Sequence, residues 1–282
     1  MSNFAQRTLT AIIGGALMIG VILLGREFLL ILLCFASVVG FYELTGAFGV
    51  RSQKSMGLME AIGITGTLLW YALLELRALS VVPEEKFGLC GLCLIILVFM
   101  GHMSVYVLTY PRYDATRTIA SFVSFIYCPV MLSFVYMIRS MEMGHVLVWL
   151  VFICSWVCDT CAYLVGIKFG RHKMSPKLSP KKSIEGAIGG IAGSVITGCI
   201  YGTFLLGPLV SMEKWQLILI MAVICICGSL ISMVGDLAAS AIKRNHDIKD
   251  YGNLLPGHGG IMDRFDSVIF VAPLVYMLCV FL

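Results

Sequence analysis

Long apolar runs separated by short polar breaks dominate the chain. About nine of them, at roughly 8–25, 28–49, 57–76, 88–110, 118–138, 145–167, 186–210, 215–239 and 267–282, approach the ~20 residues that an α-helix needs to cross a bilayer. In hydrocarbon each backbone N–H and C=O must be satisfied internally, so these runs predict helices and an all-α polytopic membrane protein. The first run follows a single basic residue, Arg7, and no small-residue cleavage site follows it. It is therefore expected to remain as a helix rather than leave as a signal peptide. The last run is short, which predicts a helix of little tilt or one that begins inside the preceding loop. No internal repeat and no Pro/Ser-rich linker is evident. One integral membrane domain is predicted over 1–282, with 1–140 mainly scaffold and 141–282 the catalytic half.

Composition agrees, since 59% of the 282 residues are hydrophobic and only 13% charged, a balance that excludes an ordinary soluble domain. The net charge of +4 is small, and its placement is more informative. Threading the nine runs through a bilayer leaves Arg26, Arg77, Lys86, Arg139 and Lys214 on one side and the other fifteen of the 20 Lys and Arg on the opposite side. Basic loops face the cytosol, so the polar active site is predicted there. The two richest loops, after the sixth and eighth runs, open on that same side. No nucleic-acid partner is expected.

The densest chemistry lies in SAIKRNHDIKDYGNLLPGHGGIMDRFD, from Ser240 to Asp266. Basic groups suited to phosphate, carboxylates suited to a hard metal and glycines that permit close backbone approach all fall within it. On a helix Asp236, Ser240 and Lys243 share one face, and Asp263 and Asp266 share another if the chain turns helical there. Asp236 and Asp263 are thus candidates to converge on Mg2+, which prefers oxygen ligands and keeps several waters. The plainer alternative is that these acids only pair with Lys243, Arg244 and Arg264. His258, in a GHGG turn, is either a phosphate donor or a turn residue.

A second polar stretch, 159–190, joins the intramembrane Asp159 to a basic loop and a glycine-rich helix start. An acid inside a span is costly unless it faces water or a partner. Ser179, Lys181, Lys182 and Ser183 read as a tight turn whose hydroxyls and ammoniums can surround a polyphosphate. Alone, those lysines would serve equally well as anchors beside anionic headgroups. Gly186, Gly189, Gly190 and Gly193 are expected to allow close helix packing. Cys158 and Cys161 have CxxC spacing but no second pair nearby, so packing is expected rather than zinc or redox chemistry. Glu43 and Glu60 lie in or beside spans without a polar neighbour in sequence, and are expected to be structural.

The stretch S-A-I-K-R-x4-K-D-x-G-x2-L-P-x-H-G-G-I-x-D-R-F-D resembles the signature of the phosphatidate cytidylyltransferase family, and D-T-x-A-Y-x2-G from Asp159 and S-P-K-K-S-x-E-G from Ser179 are also similar to that family's. Ser183 and Ile184 depart from the more usual Thr and Trp. The resemblance is strong over 159–266, with only a hydropathy match before it. It implies transfer of cytidylyl from CTP to phosphatidic acid, dependence on Mg2+ aided by a monovalent cation such as K+, a homodimer, and a bacterial cytoplasmic membrane. Carried over by motif position, Asp236 and Asp263 resemble metal ligands, and Ser240, Lys243, Arg244 and Asp266 parts of the same centre. Substrate is expected at Asp159, Tyr163, Ser179, Lys181, Lys182, Ser183, Lys249, Asp250, His258 and Arg264.

Two rivals are weighed against this. Intramembrane Asp159 and Asp236 with glycine-interrupted helices would suit an ion-coupled transporter, yet no repeat is present and a phosphate-and-metal loop has no role there. A CTP-using polyprenol kinase would release CDP instead of pyrophosphate.

Overall fold

The computed structural model describes residues 3–50, 56–254 and 259–281. Among these, helices run over α1 (Asn3–Leu24), α2 (Arg26–Ala47), α3 (Leu58–Ala78), α4 (Glu84–Leu108), α5 (Ala115–Arg139), α6 (Gly144–Phe169), α7 (Ile184–Leu209), α8 (Lys214–Asn245) and α9 (Met262–Phe281). A two-stranded antiparallel hairpin, β1 (Lys173–Ser175) and β2 (Ser179–Ser183), stands between α6 and α7. Seven of the described helices, α2 to α8, are long and apolar enough to span a bilayer. The chain is an all-α polytopic integral membrane protein. The expected nine runs all appear as helices, but α9 opens on Asp263, Arg264 and Asp266, so its uncharged run starts only at Ser267. As its short apolar run predicted, α9 begins inside the preceding loop, at Met262.

The chain divides into two compact units, one of residues up to Tyr136 together with Asn245–Phe265, the other of Met137–Arg244 together with Asp266–Leu282. The segment 245–265 thus groups with the N-terminal helices.

In the first unit α2, α3 and α5 bury Leu29, Leu33, Phe41, Leu44, Trp70, Leu74 and Phe125. Apolar contact gives little net attraction between helices in lipid, so packing and interhelical hydrogen bonds must hold them. Both are present. Ser37 and Tyr71 hydroxyls lie 2.8 Å apart, Trp70 Nε1 donates to Ser133 Oγ at 2.9 Å, and Tyr136 OH donates to Glu75 Oε2 at 2.8 Å. Glu60, expected to be structural, accepts from Gly57 N at 3.0 Å and so caps the start of α3.

In the second unit α6 and α7 pack at very short range. A Cβ on Gly186 would lie 2.7 Å from the Ala162 carbonyl, and one on Gly190 2.8 Å from that of Cys158. Cys158 and Cys161 face Gly190 and Gly193 as free thiols, which is the packing role expected of them. A π-helical turn over Ile153–Val157 widens α6 immediately before Cys158 and Asp159.

Candidate active site

The second unit brings together charges that are far apart in sequence. Asp236, in α8, forms an ion pair through Oδ2 with Lys182 Nζ at the end of β2, the two side chains being 27% and 25% exposed. Ser240, one turn on, donates to Asp236 Oδ1 at 3.4 Å. Asp159, from α6, lies within electrostatic reach of Lys182 and Asp236, with Ser267 beside it. Asp266 feels Asp236, Lys243 and Asp159, and its Oδ1 accepts from Ser267 N at 2.8 Å. Three carboxylates and two ammoniums, from α6, β2, α8 and α9, therefore form one partly buried polar cluster. The helical face expected for Asp236, Ser240 and Lys243 is present because α8 continues in regular helix to Asn245.

Lys182 reaches this cluster because the segment before it is ordered as a hairpin rather than the expected tight turn. Successive side chains on a strand point to opposite faces, so Lys181 is exposed while Lys182 turns inward. The two ammoniums do not form the joint clamp that their adjacency suggested. Ser183 is buried and serves as the N-cap of α7, its Oγ accepting from Gly186 N at 3.2 Å. Glu185 accepts from Arg171 N at 3.0 Å and His172 N at 3.2 Å, and its Oε1 lies 2.6 Å from His172 Nδ1. These bonds fasten the end of α6 to the start of α7. Ser179 is half-buried in β2, and Tyr163 is 67% exposed on α6.

In the first unit the loop before α9 is organised by carboxylates acting on backbone. Asp263 Oδ2 accepts from Tyr251 N at 2.8 Å and Gly260 N at 3.0 Å. Gly259, at φ +83°, supplies the left-handed turn that brings Gly260 N inward. Glu43, from α2, accepts from Ile261 N at 3.1 Å and Met262 N at 2.9 Å. The structural role expected of Glu43 is thus met by two backbone N–H groups, and its signal in the sequence is that of Asp159, an acid within an apolar span. Lys249, Asp250 and Arg264 are exposed, as is Arg244 in the last turn of α8 in the second unit, and His258 lies outside the described residues.

The chemistry of the donor set suits a hard divalent cation. Asp159, Asp236 and Asp266 offer only oxygen, and Lys182 already neutralises part of their charge. Among the described residues no three acidic, His or Cys side chains enclose a metal by themselves. Mg2+ at Asp236 would therefore complete its shell with water and substrate oxygens, as this ion commonly does.

Helices long and apolar enough to span a bilayer, carrying a cluster of acids and lysines, suit a membrane-embedded enzyme of phosphate chemistry. The sequence matches the model of the Cytidylyltransferase family over residues 5–282, and the chain belongs to that family. It is 32% identical over 289 residues to the phosphatidate cytidylyltransferase of Staphylococcus aureus (strain COL), covering 97% of this chain and 98% of that protein. It is 29% identical over 279 residues to the protein of the same name from Bacillus subtilis (strain 168), covering 99% of this chain and 98% of the relative. The likeness read over 159–266 thus extends through the N-terminal helices as well.

Proposed function

We infer that the chain transfers the cytidylyl group of CTP to phosphatidic acid, giving CDP-diacylglycerol and pyrophosphate for membrane phospholipid synthesis. The observation that carries this is the family match along nearly the whole chain, with relatives of that name covered end to end. The polar cluster of the second unit supports it. A phosphate oxygen of the lipid attacks the α-phosphorus of CTP, one P–O bond forms, and the bond to the departing pyrophosphate breaks. That nucleophile is ionised near neutral pH, so the step needs positioning and charge neutralisation more than a general base.

In this reading Lys182 and Lys243, with Arg244, neutralise phosphates, and Ser240 orients Asp236; a phosphate role for Arg264 rests on its motif position. Asp159, the α6 member of the cluster, is assigned with Tyr163 one turn on to the entry of the lipid headgroup. Ser179 and Lys181 lie on the hairpin beside the nucleotide, and Lys249, Asp250 and His258 belong to the substrate loop. Mg2+, aided by a monovalent cation such as K+, is assigned to Asp236, with Asp266 supporting. It supplies Lewis-acid stabilisation of charge on the phosphates when bound. A metal role for Asp263 rests on its motif position and would be additional to its bonds with Tyr251 and Gly260. Ser183 acts first as the cap of α7. The site faces the cytosol, on the strength of the Lys/Arg asymmetry. The membrane is the bacterial cytoplasmic one and the working form a homodimer.

The test is an incubation of detergent-purified protein with phosphatidic acid, α-32P-labelled CTP and Mg2+, with an EDTA control. Lipid-extractable label that disappears with EDTA is expected. Label left in water as CDP would identify a kinase, and no CTP turnover by folded protein would return the transporter reading.

A further inference from the structure

Glu43 is 7% exposed and lies one turn from the C-terminal end of α2. A carboxylate there sits at the negative end of its own helix and within an apolar span, so both effects oppose it. What offsets them is the start of α9. Ile261 N and Met262 N belong to the first N–H groups of that helix, which have no acceptor within it. Glu43 accepts one with each oxygen, Oε1 from Ile261 and Oε2 from Met262. The negative charge of one helix thus rests on the positive end of another. Gly252 and Gly260 close over the same carboxylate, and a Cβ on either would collide with its oxygens. From within the loop, Asp263 takes the N–H groups of Tyr251 and Gly260. Two carboxylates therefore hold four backbone N–H groups between residues 251 and 262.

We propose that Glu43 is a positioning residue for cytidylyl transfer: a side chain from the N-terminal half that clamps the backbone at Ile261 and Met262 and so sets the orientation of Asp263 and Arg264. The inference rests on the activity proposed above. Both oxygens accept, so the anion is required. In Glu43→Gln the shape is kept, but an NH2 must face one of the two N–H donors.

Two measurements on the full-length protein in detergent micelles test this. Hydrogen–deuterium exchange of Glu43→Gln should speed up in 251–262 and stay as in wild type elsewhere. Steady-state kinetics should show kcat lowered roughly tenfold to a hundredfold, the scale of a small misplacement of reacting groups, with less change in KM for CTP. Glu43→Asp, which keeps both acceptors on a shorter stem, should recover part of the rate. Gly260→Ala should behave like Glu43→Gln, yet add less than twofold to Glu43→Ala, because the oxygens it would strike are gone. Unchanged exchange in Glu43→Gln, raised exchange with unchanged kcat, or independent effects of the two alanine substitutions would each overturn the proposal. If the wild-type protein shows no cytidylyl transfer, the activity reading fails by itself. The exchange data, and the alanine pair scored by exchange, then still decide whether Glu43 clamps the loop.

Discussion

Replacing Lys182 by Met separates two effects that the ion pair with Asp236 combines. The ammonium neutralises Asp236 directly and Asp159 at longer range. A cation that binds Asp236 through Oδ2 competes with it. A charge-assisted hydrogen bond is worth ~1.5–3 kcal/mol. Both partners are about one-quarter exposed, so solvent screening reduces this to about 1–2 kcal/mol. Removing the competitor should therefore lower the Mg2+ concentration for half-maximal activity by about 5–30-fold. The lost phosphate contact should at the same time reduce kcat by about 100-fold, the scale of one missing electrostatic stabiliser. The assay is radiolabelled lipid formation over a Mg2+ titration, with Lys181→Met as the control. Lys181 faces away from the acids, so that variant should leave the Mg2+ requirement within about threefold of wild type, whatever the loss of a nucleotide contact does to its kcat. A Mg2+ requirement in Lys182→Met that stays the same or rises would refute the assignment of the metal to Asp236. Equal shifts of the Mg2+ requirement in the two lysine variants would refute the strand geometry.

Three further outcomes follow from the second unit. Ser183→Ala should destabilise the protein by about 1 kcal/mol through the lost cap on α7, and Ser183→Asp should recover most of that; thermal unfolding in detergent reads both. Gly190→Ala places a Cβ 2.8 Å from the Cys158 carbonyl, so it should cost about 1–3 kcal/mol by the same measurement, and an unchanged melting temperature would disprove the close approach of α6 and α7. The Cys158→Ala/Cys161→Ala double variant should keep kcat within about threefold, because the thiols act as small apolar groups. Metal analysis finding one zinc per chain in the parent protein would contradict that.

Much of the fold is legible because a bilayer allows few choices. Apolar runs of spanning length must be helices, and every run read from the sequence has become one. The ends shifted where polar residues joined a helix. α8 runs on to Asn245 because Ser240, Lys243 and Arg244 continue a helical face. α9 starts at Met262 because Glu43 and Asp263 satisfy backbone groups around its first turn. Neither extension leaves a mark in hydropathy. The hairpin before α7 was missed for a related reason. SPKKS carries turn and charge signals, while its strand pairing depends on the register Lys173 with Ser183 and Ser175 with Ser179 across the loop.

The site was legible as a set of residue types and much less so as a set of pairs. An acid within a span announces that it has a partner, but one-dimensional spacing does not say which. Asp236 had Lys243 and Arg244 on its own helix as nearby candidates, yet its ion pair is with Lys182 of β2. Glu43 had no charged neighbour in sequence, yet two N–H groups more than two hundred residues away receive it. Both partners come from segments whose local geometry, a strand and a helix start, decides where their donors point. Local preference therefore locates the charges, and tertiary structure chooses among their possible bonds. Lys181 and Lys182 differ by one position in the chain, and only the alternation of a strand sends one of them to Asp236.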